Sequence, residues 1–152
     1  MATYLEPESG RFDGPIHRMG MRVYFEDTDL SGVVYHANYL RWFERARTEM
    51  LRLLGIEQQA VQAAGEGAYA VTELAIRYRA PARLDDAVVI ESSTLELRPA
   101  SCRLLQRAFK HETLLAEARL RVGFVGADGR PRRQPDAWRK AFASIAPTED
   151  HE

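Results

Sequence analysis

The clearest pattern in the chain is a helical period that begins near Tyr39. Apolar residues recur at spacings of three and four and form one stripe, with polar residues opposite. The stripe comprises Tyr39, Phe43, Ala46, Met50, Leu53 and Leu54, and the polar face comprises Arg41, Glu44, Arg45, Thr48 and Arg52. We expect a long amphipathic helix that starts near Ala37 or Asn38, where Asn38 or a neighbour can cap it, and that ends at Gly55.

Most of the remaining chain has the pattern of β-strands. Residues 21–25 (MRVYF) favour a first strand, and residues 57–64 form a second, shorter helical stretch after the long helix. Four strand-like runs follow, at residues 69–78, 87–97, 101–111 and 114–125. The residues of the last run that we expect to face inward are Ala116, Ala118, Leu120, Val122 and Phe124. The separators between runs are short, which favours antiparallel hairpins, because a parallel return needs a dozen or more residues.

These elements fit together in one simple way. A single amphipathic helix buries its stripe by lying across the concave face of a curved sheet, so the sequence predicts an α+β fold in which a five-stranded antiparallel sheet wraps one central helix. We expect residues 1–18 to form a flexible arm, residues 19–145 the domain with a polar stretch beyond Gly126, and residues 146–152 a loose tail. The last strand has a long edge that needs covering, so we expect at least a homodimer, joined through sheet edges or the loop beside the helix.

Composition narrows the class of protein. The chain has 152 residues, of which 45% are hydrophobic and 28% are charged, as in one globular domain. A net charge of -1 gives no field that would attract nucleic acid or an anionic membrane. No window approaches the roughly 20 apolar residues of a membrane span, and the N-terminus lacks the pattern of a secretory signal. A single cysteine, Cys102, which we expect to be a small buried residue on a strand, favours a cytoplasmic protein.

Candidate chemistry is concentrated in residues 25–39, FEDTDLSGVVYHANY. Gly32 allows a sharp change of direction, and the helix that follows presents unpaired backbone N–H groups and the positive end of its dipole. Such a helix end stabilises an anion or a carbonyl oxygen that becomes negative. Two interpretations stay open: the acidic residues cap the helix, or one carboxylate attacks a substrate or activates water while the helix end takes the charge.

Other catalytic and binding signatures are missing from the sequence. It contains no G-x-S-x-G elbow, no glycine-rich phosphate loop, no dinucleotide fingerprint and no zinc-ligand spacing. We therefore predict no metal site and no serine hydrolase.

The run YFEDTDLSGVVYHANYLRWFERARTEMLR resembles the signature of the hotdog-fold acyl-CoA thioesterases, in particular the 4-hydroxybenzoyl-CoA thioesterase family and its YbgC-type, Tol-Pal-associated branch. YRAPARLDD at residues 78–86 and the strand order are also similar to that branch, and the resemblance covers about residues 20–135. It implies a hotdog fold that hydrolyses an acyl-CoA thioester to the free acid and coenzyme A. It implies no cofactor beyond the coenzyme A of the substrate, and it suggests an acyl carrier protein as a partner.

The resemblance also implies roles for two residues. The catalytic carboxylate of the family falls on Asp29, and the helix-start position whose backbone N–H polarises the thioester carbonyl falls on His36. Asp29 either forms a mixed anhydride or acts as a base on water, and the His36 side chain either takes part in the site or braces the loop. Glu26 and Asp27 match the motif, but no role follows for them.

Five further residues are expected to shape the substrate site: Gly32, Val34, Tyr35, Asn38 and Arg98. Arg98 lies in a hairpin where relatives carry a basic turn suited to coenzyme A phosphates, but a proline stands here at a position that is basic in some of them, so the match is partial. A non-catalytic hotdog module that binds acyl-CoA or an acyl carrier protein is the main alternative. A dehydratase would need a histidine and a carboxylate from two segments, a pattern that we do not find. The acyl group and the choice between a homodimer and a homotetramer stay open.

Overall fold

The computed structural model describes residues 3–147, which form a six-stranded antiparallel sheet and three helices. The strands are β1 (Arg11–Asp13), β2 (Ile16–Arg22), β3 (Ala68–Tyr78), β4 (Ala87–Leu97), β5 (Ser101–Lys110) and β6 (Thr113–Val125). The helices are α1 (His36–Leu53), α2 (Gln58–Ala63) and α3 (Asp136–Ala143). The strand order is β1-β2-β4-β5-β6-β3, and α1 packs against β4 and β2. The predicted α+β class, with one long helix against an antiparallel sheet, is confirmed.

The N-terminal segment differs from the prediction. Residues 11–18, expected in a flexible arm, form β1 and the start of β2, and β2 pairs with β4. The hydroxyl of Ser9 donates to the Glu49 carboxylate on α1 at 2.8 Å, which ties this segment to the helix. The sheet therefore has six strands rather than five. The strand was missed because a polar residue, His17, occupies a fully buried inward position and hides the alternation.

Helix α1 follows most of the predicted stripe. Its buried residues are Asn38, Tyr39, Trp42, Phe43, Ala46, Met50 and Leu51, whereas Leu53 is 44% exposed. Gly55 follows the helix at φ +80°, as expected for a glycine at this position. Asn38 does not cap the helix, because its side-chain amide donates to the backbone oxygen of Asp27 instead. Trp42 and Leu51 were assigned to neither face, yet both complete the contact with the sheet.

The connection between β3 and β4 is not a hairpin, although its length suggested one. β3 lies at the sheet edge beside β6, and β4 lies three strand spacings away, about 15 Å. Residues 79–86 cross this distance along the end of the sheet, which eight extended residues can do. In this crossing, Ala82 is fully buried, and its carbonyl accepts the Val34 N–H at 2.8 Å. The crossing therefore supports the loop that precedes α1.

The other hairpins agree with the prediction. β4, β5 and β6 follow one another as neighbours, and the inward residues predicted for β6 are buried. Cys102 on β5 is 1% exposed, and burial raises the pKa of its thiol to about 12, which confirms a small buried residue. β6 is internal, so the exposed edge expected for it belongs to β3 instead.

The segment beyond Gly126 is more than a polar stretch. α3 packs on the end of the sheet through the buried side chains of Trp138 and Phe142. Gln134 is also buried, where its amide donates to the Arg98 carbonyl at 2.8 Å and its oxygen accepts the Tyr69 hydroxyl at 2.6 Å. Most of the predicted C-terminal tail, residues 148–152, lies outside the described residues. Within residues 3–147, no helix is long and apolar enough to span a membrane.

Candidate active site

Residues 28–34 form a tight reversal of the chain just before α1. Thr28 and Val34 pair across it, and the Asp29 N–H donates to the Val33 carbonyl at 2.9 Å. The Gly32 N–H closes the turn by donating to the Asp29 carbonyl at 3.0 Å, with Gly32 at φ +82°. A short loop that ends in a left-handed residue favours glycine, because a side chain there would be strained. Gly32 thus sets the direction of the loop that carries Asp29.

The Asp29 carboxylate is exposed and is held by Ser31. One carboxylate oxygen accepts both the backbone N–H of Ser31, at 2.8 Å, and its hydroxyl, at 2.5 Å. The hydroxyl of Ser31 is the main cause that holds the pKa of Asp29 below its ordinary value, because hydrogen bonds to a carboxylate favour its charged form. Asp29 is therefore ionised near neutral pH, as a nucleophile or a general base must be.

The first turn of α1 has unpaired backbone donors. Tyr35 occupies the position that precedes the helix, and its side chain makes no capping hydrogen bond. Within residues 3–147, the N–H groups of His36 and Ala37 have no hydrogen-bond acceptor. Serine, threonine, aspartate or asparagine would normally satisfy one such donor. The two N–H groups are consequently available to a carbonyl oxygen, and the dipole of an 18-residue helix stabilises negative charge beside them.

Asp27 fastens this helix start to the loop. Its backbone oxygen accepts the Tyr35 N–H at 2.9 Å and the Asn38 side-chain amide at 2.7 Å. Its carboxylate accepts the Tyr24 N–H at 2.8 Å. Asp27 therefore has a structural role, which the sequence did not indicate. The buried Asn38 side chain contributes to the same role by holding the backbone of the loop at Asp27.

Aromatic side chains surround His36. Its ring lies 4.4 Å from the Tyr35 ring and 6.1 Å from the Tyr78 ring, measured between centroids. The Tyr78 hydroxyl donates to the backbone oxygen of His36 at 2.9 Å. Sequence reasoning missed Tyr78 as a site residue, because it belongs to β3 and no spacing connects it to the loop. Val34 is buried, and its N–H donates to the Ala82 carbonyl, so it holds the loop against the crossing between β3 and β4.

Arg98 does not join the other candidate residues within one chain. It follows the C-terminal end of β4, whereas the Asp29 loop lies beside the N-terminal end of that strand. The eleven residues of β4 separate the two by roughly 30 Å. Arg98 instead pairs with Glu96, with 2.6 Å between the Arg98 Nε and the carboxylate oxygen. The described residues hold no group of three or more histidine, cysteine, aspartate or glutamate side chains placed to bind a metal ion.

Comparison with known proteins identifies the family. A family model described as the thioesterase-like superfamily matches residues 23–145, which include the Asp29 loop, α1 and the sheet from β3 to β6. The chain belongs to the thioesterase-like superfamily. The fold and family expected from the motif are confirmed.

Two curated relatives and one solved structure show the extent of this similarity. The chain is 44% identical to the acyl-CoA thioesterase YbgC of Haemophilus influenzae over 105 residues, which are 69% of this chain and 77% of that protein. It is 46% identical to the acyl-CoA thioester hydrolase YbgC of Escherichia coli O6:H1 over 108 residues, 70% of this chain and 80% of that protein. A probable thioesterase from Bartonella henselae superposes with a TM-score of 0.75 at 34% identity, covering 79% of this chain and 99% of that one.

Proposed function

We propose that this chain hydrolyses the thioester bond of an acyl-CoA to a free acid and coenzyme A, with Asp29 as the catalytic carboxylate. The observation that carries this proposal is the meeting of two features at one loop–helix junction. One is an exposed, ionised carboxylate at Asp29. The other is the pair of N–H groups at His36 and Ala37, which have no acceptor among residues 3–147. The names of the curated relatives support the same reaction.

In this proposal the helix start and Asp29 have separate chemical roles. The thioester oxygen accepts the N–H groups of the first turn, where negative charge on it is stabilised by the helix end. Asp29 then either attacks the carbonyl carbon and forms a mixed anhydride, or takes a proton from the water that attacks. In both routes the carbon–sulfur bond breaks, the thiolate leaves as coenzyme A, and water supplies the hydroxyl of the acid. His36 acts through its backbone, which Tyr78 holds in place.

A thiol-release assay with aliphatic and aromatic acyl-CoAs tests this function. Asp29→Asn keeps the size and the hydrogen bonds to Ser31 but removes the charge, so we expect a loss of at least about 100-fold in kcat/KM. Asp128→Asn is the matched control, because Asp128 is an exposed turn residue that also accepts the N–H of the second residue after it. It should leave the rate unchanged.

The same panel decides between an enzyme and a binding module. A module that binds acyl-CoA without turnover has no need of a carboxylate facing the thioester. If the wild-type protein releases no more thiol than the Asp29→Asn variant, while both bind acyl-CoA, the hydrolase function is wrong. A non-catalytic module then takes its place.

We further propose that the active unit is a homodimer or a homotetramer built on β3. Within the described residues, β3 pairs on one side with β6, so its other side leaves eleven residues of backbone free. Val71, Leu74 and Tyr78 are exposed on the face of β3 turned toward α1, and a second copy would cover them. Arg98 lies far from Asp29 in its own chain. In such an oligomer, the Arg98 that joins an Asp29 site would come from the second copy. A cytoplasmic location and an acyl carrier protein as a further thioester donor stay predictions.

A further inference from the structure

The hydroxyl of Tyr78 reaches the first residue of α1 from the end of strand β3. It donates to the backbone oxygen of His36 at 2.9 Å. This oxygen belongs to the peptide group that joins His36 to Ala37, and the nitrogen of the same group carries the Ala37 N–H. The bond from Tyr78 therefore ends on one side of a peptide group whose other side presents a donor to the candidate active site.

The two sides of this peptide group differ in how they are engaged. The Ala37 N–H has no acceptor in the part of the chain that the structure describes, residues 3–147. The His36 oxygen accepts twice, from the Leu40 N–H in the regular pattern of the helix and from the Tyr78 hydroxyl. When the carbonyl of a peptide group accepts hydrogen bonds, the group becomes more polarised and its N–H becomes a stronger donor.

Two aromatic side chains of α1 hold the Tyr78 ring in position. Its centroid lies 6.1 Å from that of the His36 ring and 5.6 Å from that of the Tyr39 ring, edge-on in both cases. Burial raises the pKa of the Tyr78 hydroxyl, because it disfavours the charged phenolate. The hydroxyl therefore keeps its proton at neutral pH, where Asp29 is ionised, and it can donate to His36.

The contact between Tyr78 and His36 is made within one chain, so it does not depend on how subunits assemble. A second copy paired with β3 would cover the Tyr78 ring and exclude water around the hydroxyl. A hydrogen bond is electrostatically stronger in such a less polar environment than in water. Assembly through β3 would consequently reinforce the bond from Tyr78.

We propose that Tyr78 is a positioning residue whose hydroxyl, through the His36–Ala37 peptide group, strengthens the Ala37 N–H as a donor to the thioester oxygen. This inference rests on the proposed hydrolysis at Asp29. As negative charge develops on the thioester oxygen, the bond from Ala37 and the bond from Tyr78 reinforce each other. The gain is larger in the transition state than for bound substrate, so the hydroxyl raises kcat and leaves KM unchanged.

Tyr78→Phe tests this role, because it removes the hydroxyl and keeps the ring between His36 and Tyr39. One oxyanion donor contributes about 100- to 1000-fold to kcat, and a neighbouring hydrogen bond changes the energy of a bond by about 10–30%. We therefore expect kcat for acyl-CoA hydrolysis to fall roughly two- to eightfold, with KM unchanged. Tyr4→Phe is the matched control, since the exposed Tyr4 hydroxyl also donates one hydrogen bond, to Glu6, and its loss should change neither constant.

Two further measurements separate polarisation from packing, and the first also serves if Tyr78→Phe folds poorly. With 3-fluorotyrosine in place of Tyr78, the more acidic phenol donates more strongly, so kcat at about pH 6.5, where the phenol stays protonated, should rise above that of the wild type. In the substrate-free protein, the nitrogen-15 resonance of Ala37 should move upfield in Tyr78→Phe, because its peptide group is less polarised. Tyr4→Phe should leave this resonance in place.

The outcomes distinguish this inference from the proposed function. If Asp29→Asn loses activity while a folded Tyr78→Phe variant keeps the wild-type kcat, the role of Tyr78 is wrong and the hydrolase function stands. A higher KM at constant kcat would also overturn the role, because the hydroxyl would then contact the substrate itself. If the wild-type protein releases no more thiol than Asp29→Asn, the hydrolase function is wrong, and so is the role of Tyr78 in it.

Discussion

Ser31 stands two residues after Asp29 and makes both of its hydrogen bonds to the same carboxylate oxygen. The backbone N–H fixes the position of this oxygen, and the hydroxyl adds a second donor that favours the ionised form. The serine brings no charge of its own, so it keeps Asp29 anionic without pairing it to a cation that would reduce its reactivity. Ser31 is thus a positioning residue for the proposed reaction.

Removing the Ser31 hydroxyl tests this role. Ser31→Ala deletes the largest cause of the lowered pKa of Asp29, so that pKa should rise. Because the reaction needs the anion, activity is lost as pH falls through this pKa, and the acid limb of the kcat/KM profile should move to higher pH. Ser31→Thr keeps a hydroxyl and should restore the wild-type profile. An acid limb that stays in place in Ser31→Ala would show that the serine only shapes the loop.

The residues of the site differed in how visible they were in the sequence. Asp29 and His36 could be proposed for the candidate site because a motif carries them, and Gly32 because a reversal before a helix requires backbone freedom. Ser31 and Tyr78 were missed because their roles depend on side-chain hydrogen bonds that no spacing encodes. Asp27 was left without a role because it acts mainly through its backbone oxygen, a group that every residue has.

At the scale of elements, the hairpin of β1 and β2 is closed over a buried histidine. His17 is fully buried on β2, and its Nε2 donates to the Ser9 carbonyl at 2.8 Å. Within the described residues, its Nδ1 has no partner. The Phe12 ring packs edge-on against the imidazole. The negative charge of Glu49, whose carboxylate accepts the Ser9 hydroxyl from α1, also acts on His17. The hairpin therefore depends on a neutral imidazole.

This arrangement predicts acid sensitivity of the fold. Burial lowers the pKa of His17 in the folded state, although the bond to Ser9 and the charge of Glu49 oppose it. As pH falls below about 6.5, the unfolded chain takes up the proton first, so the free energy of unfolding decreases from there downward. His17→Gln should remove this part of the pH dependence, measured as the free energy of urea unfolding between pH 7 and pH 5.

His111→Asn is the control for this measurement. His111 is exposed at φ +52°, a conformation that asparagine tolerates, so this variant should keep the wild-type slope. If His17→Gln and wild type lose stability in parallel between pH 7 and pH 5, the buried imidazole is not the titrating group.

The elements that the sequence located well are those with a regular period. Helix α1 and the three strands β4, β5 and β6 fall within one or two residues of their predicted bounds. β1 and most of β2 were missed because His17 breaks the apolar alternation, and α3 because a run rich in proline and arginine precedes it. The position of β3 beside β6 was not predicted. The length of a connection limits how far away the next strand can lie, but it does not determine which strand it pairs with.

At the scale of the whole molecule, one chain leaves its candidate site open. Asp29 is exposed, and the apolar side chains of Phe25 and Leu30 near it are exposed as well. Reactions that pass through a stabilised oxyanion proceed better where water is excluded. Arg98, the residue expected to meet coenzyme A, lies roughly 30 Å from Asp29 in the same chain. Both observations favour a site completed by a second copy.

Subunit mixing tests whether Asp29 and Arg98 act across an interface. Asp29→Asn and Arg98→Ala homo-oligomers should both be impaired, the first in turnover and the second in kcat/KM, since Arg98 would contact the substrate phosphates. In a mixed dimer, one site combines both defects and the other has an intact Asp29 from one subunit and an intact Arg98 from its partner. Unfolding and refolding the two variants together should therefore restore activity, up to about half of the wild-type rate per mixed dimer.

The rescue is specific to an arrangement in trans. If Asp29 and Arg98 served the same site from one chain, every site in a mixed dimer would keep one defect, and activity would stay at the average of the two variants. Arg130→Ala alters another exposed arginine and should be active alone. When it is mixed with Asp29→Asn, the activity should not exceed what the Arg130→Ala subunits contribute themselves.

Leu74→Asp on the free edge of β3 should abolish the rescue by preventing assembly, because it places a charge among the apolar side chains proposed as the contact. Its fold should persist, since Leu74 is already exposed in the single chain.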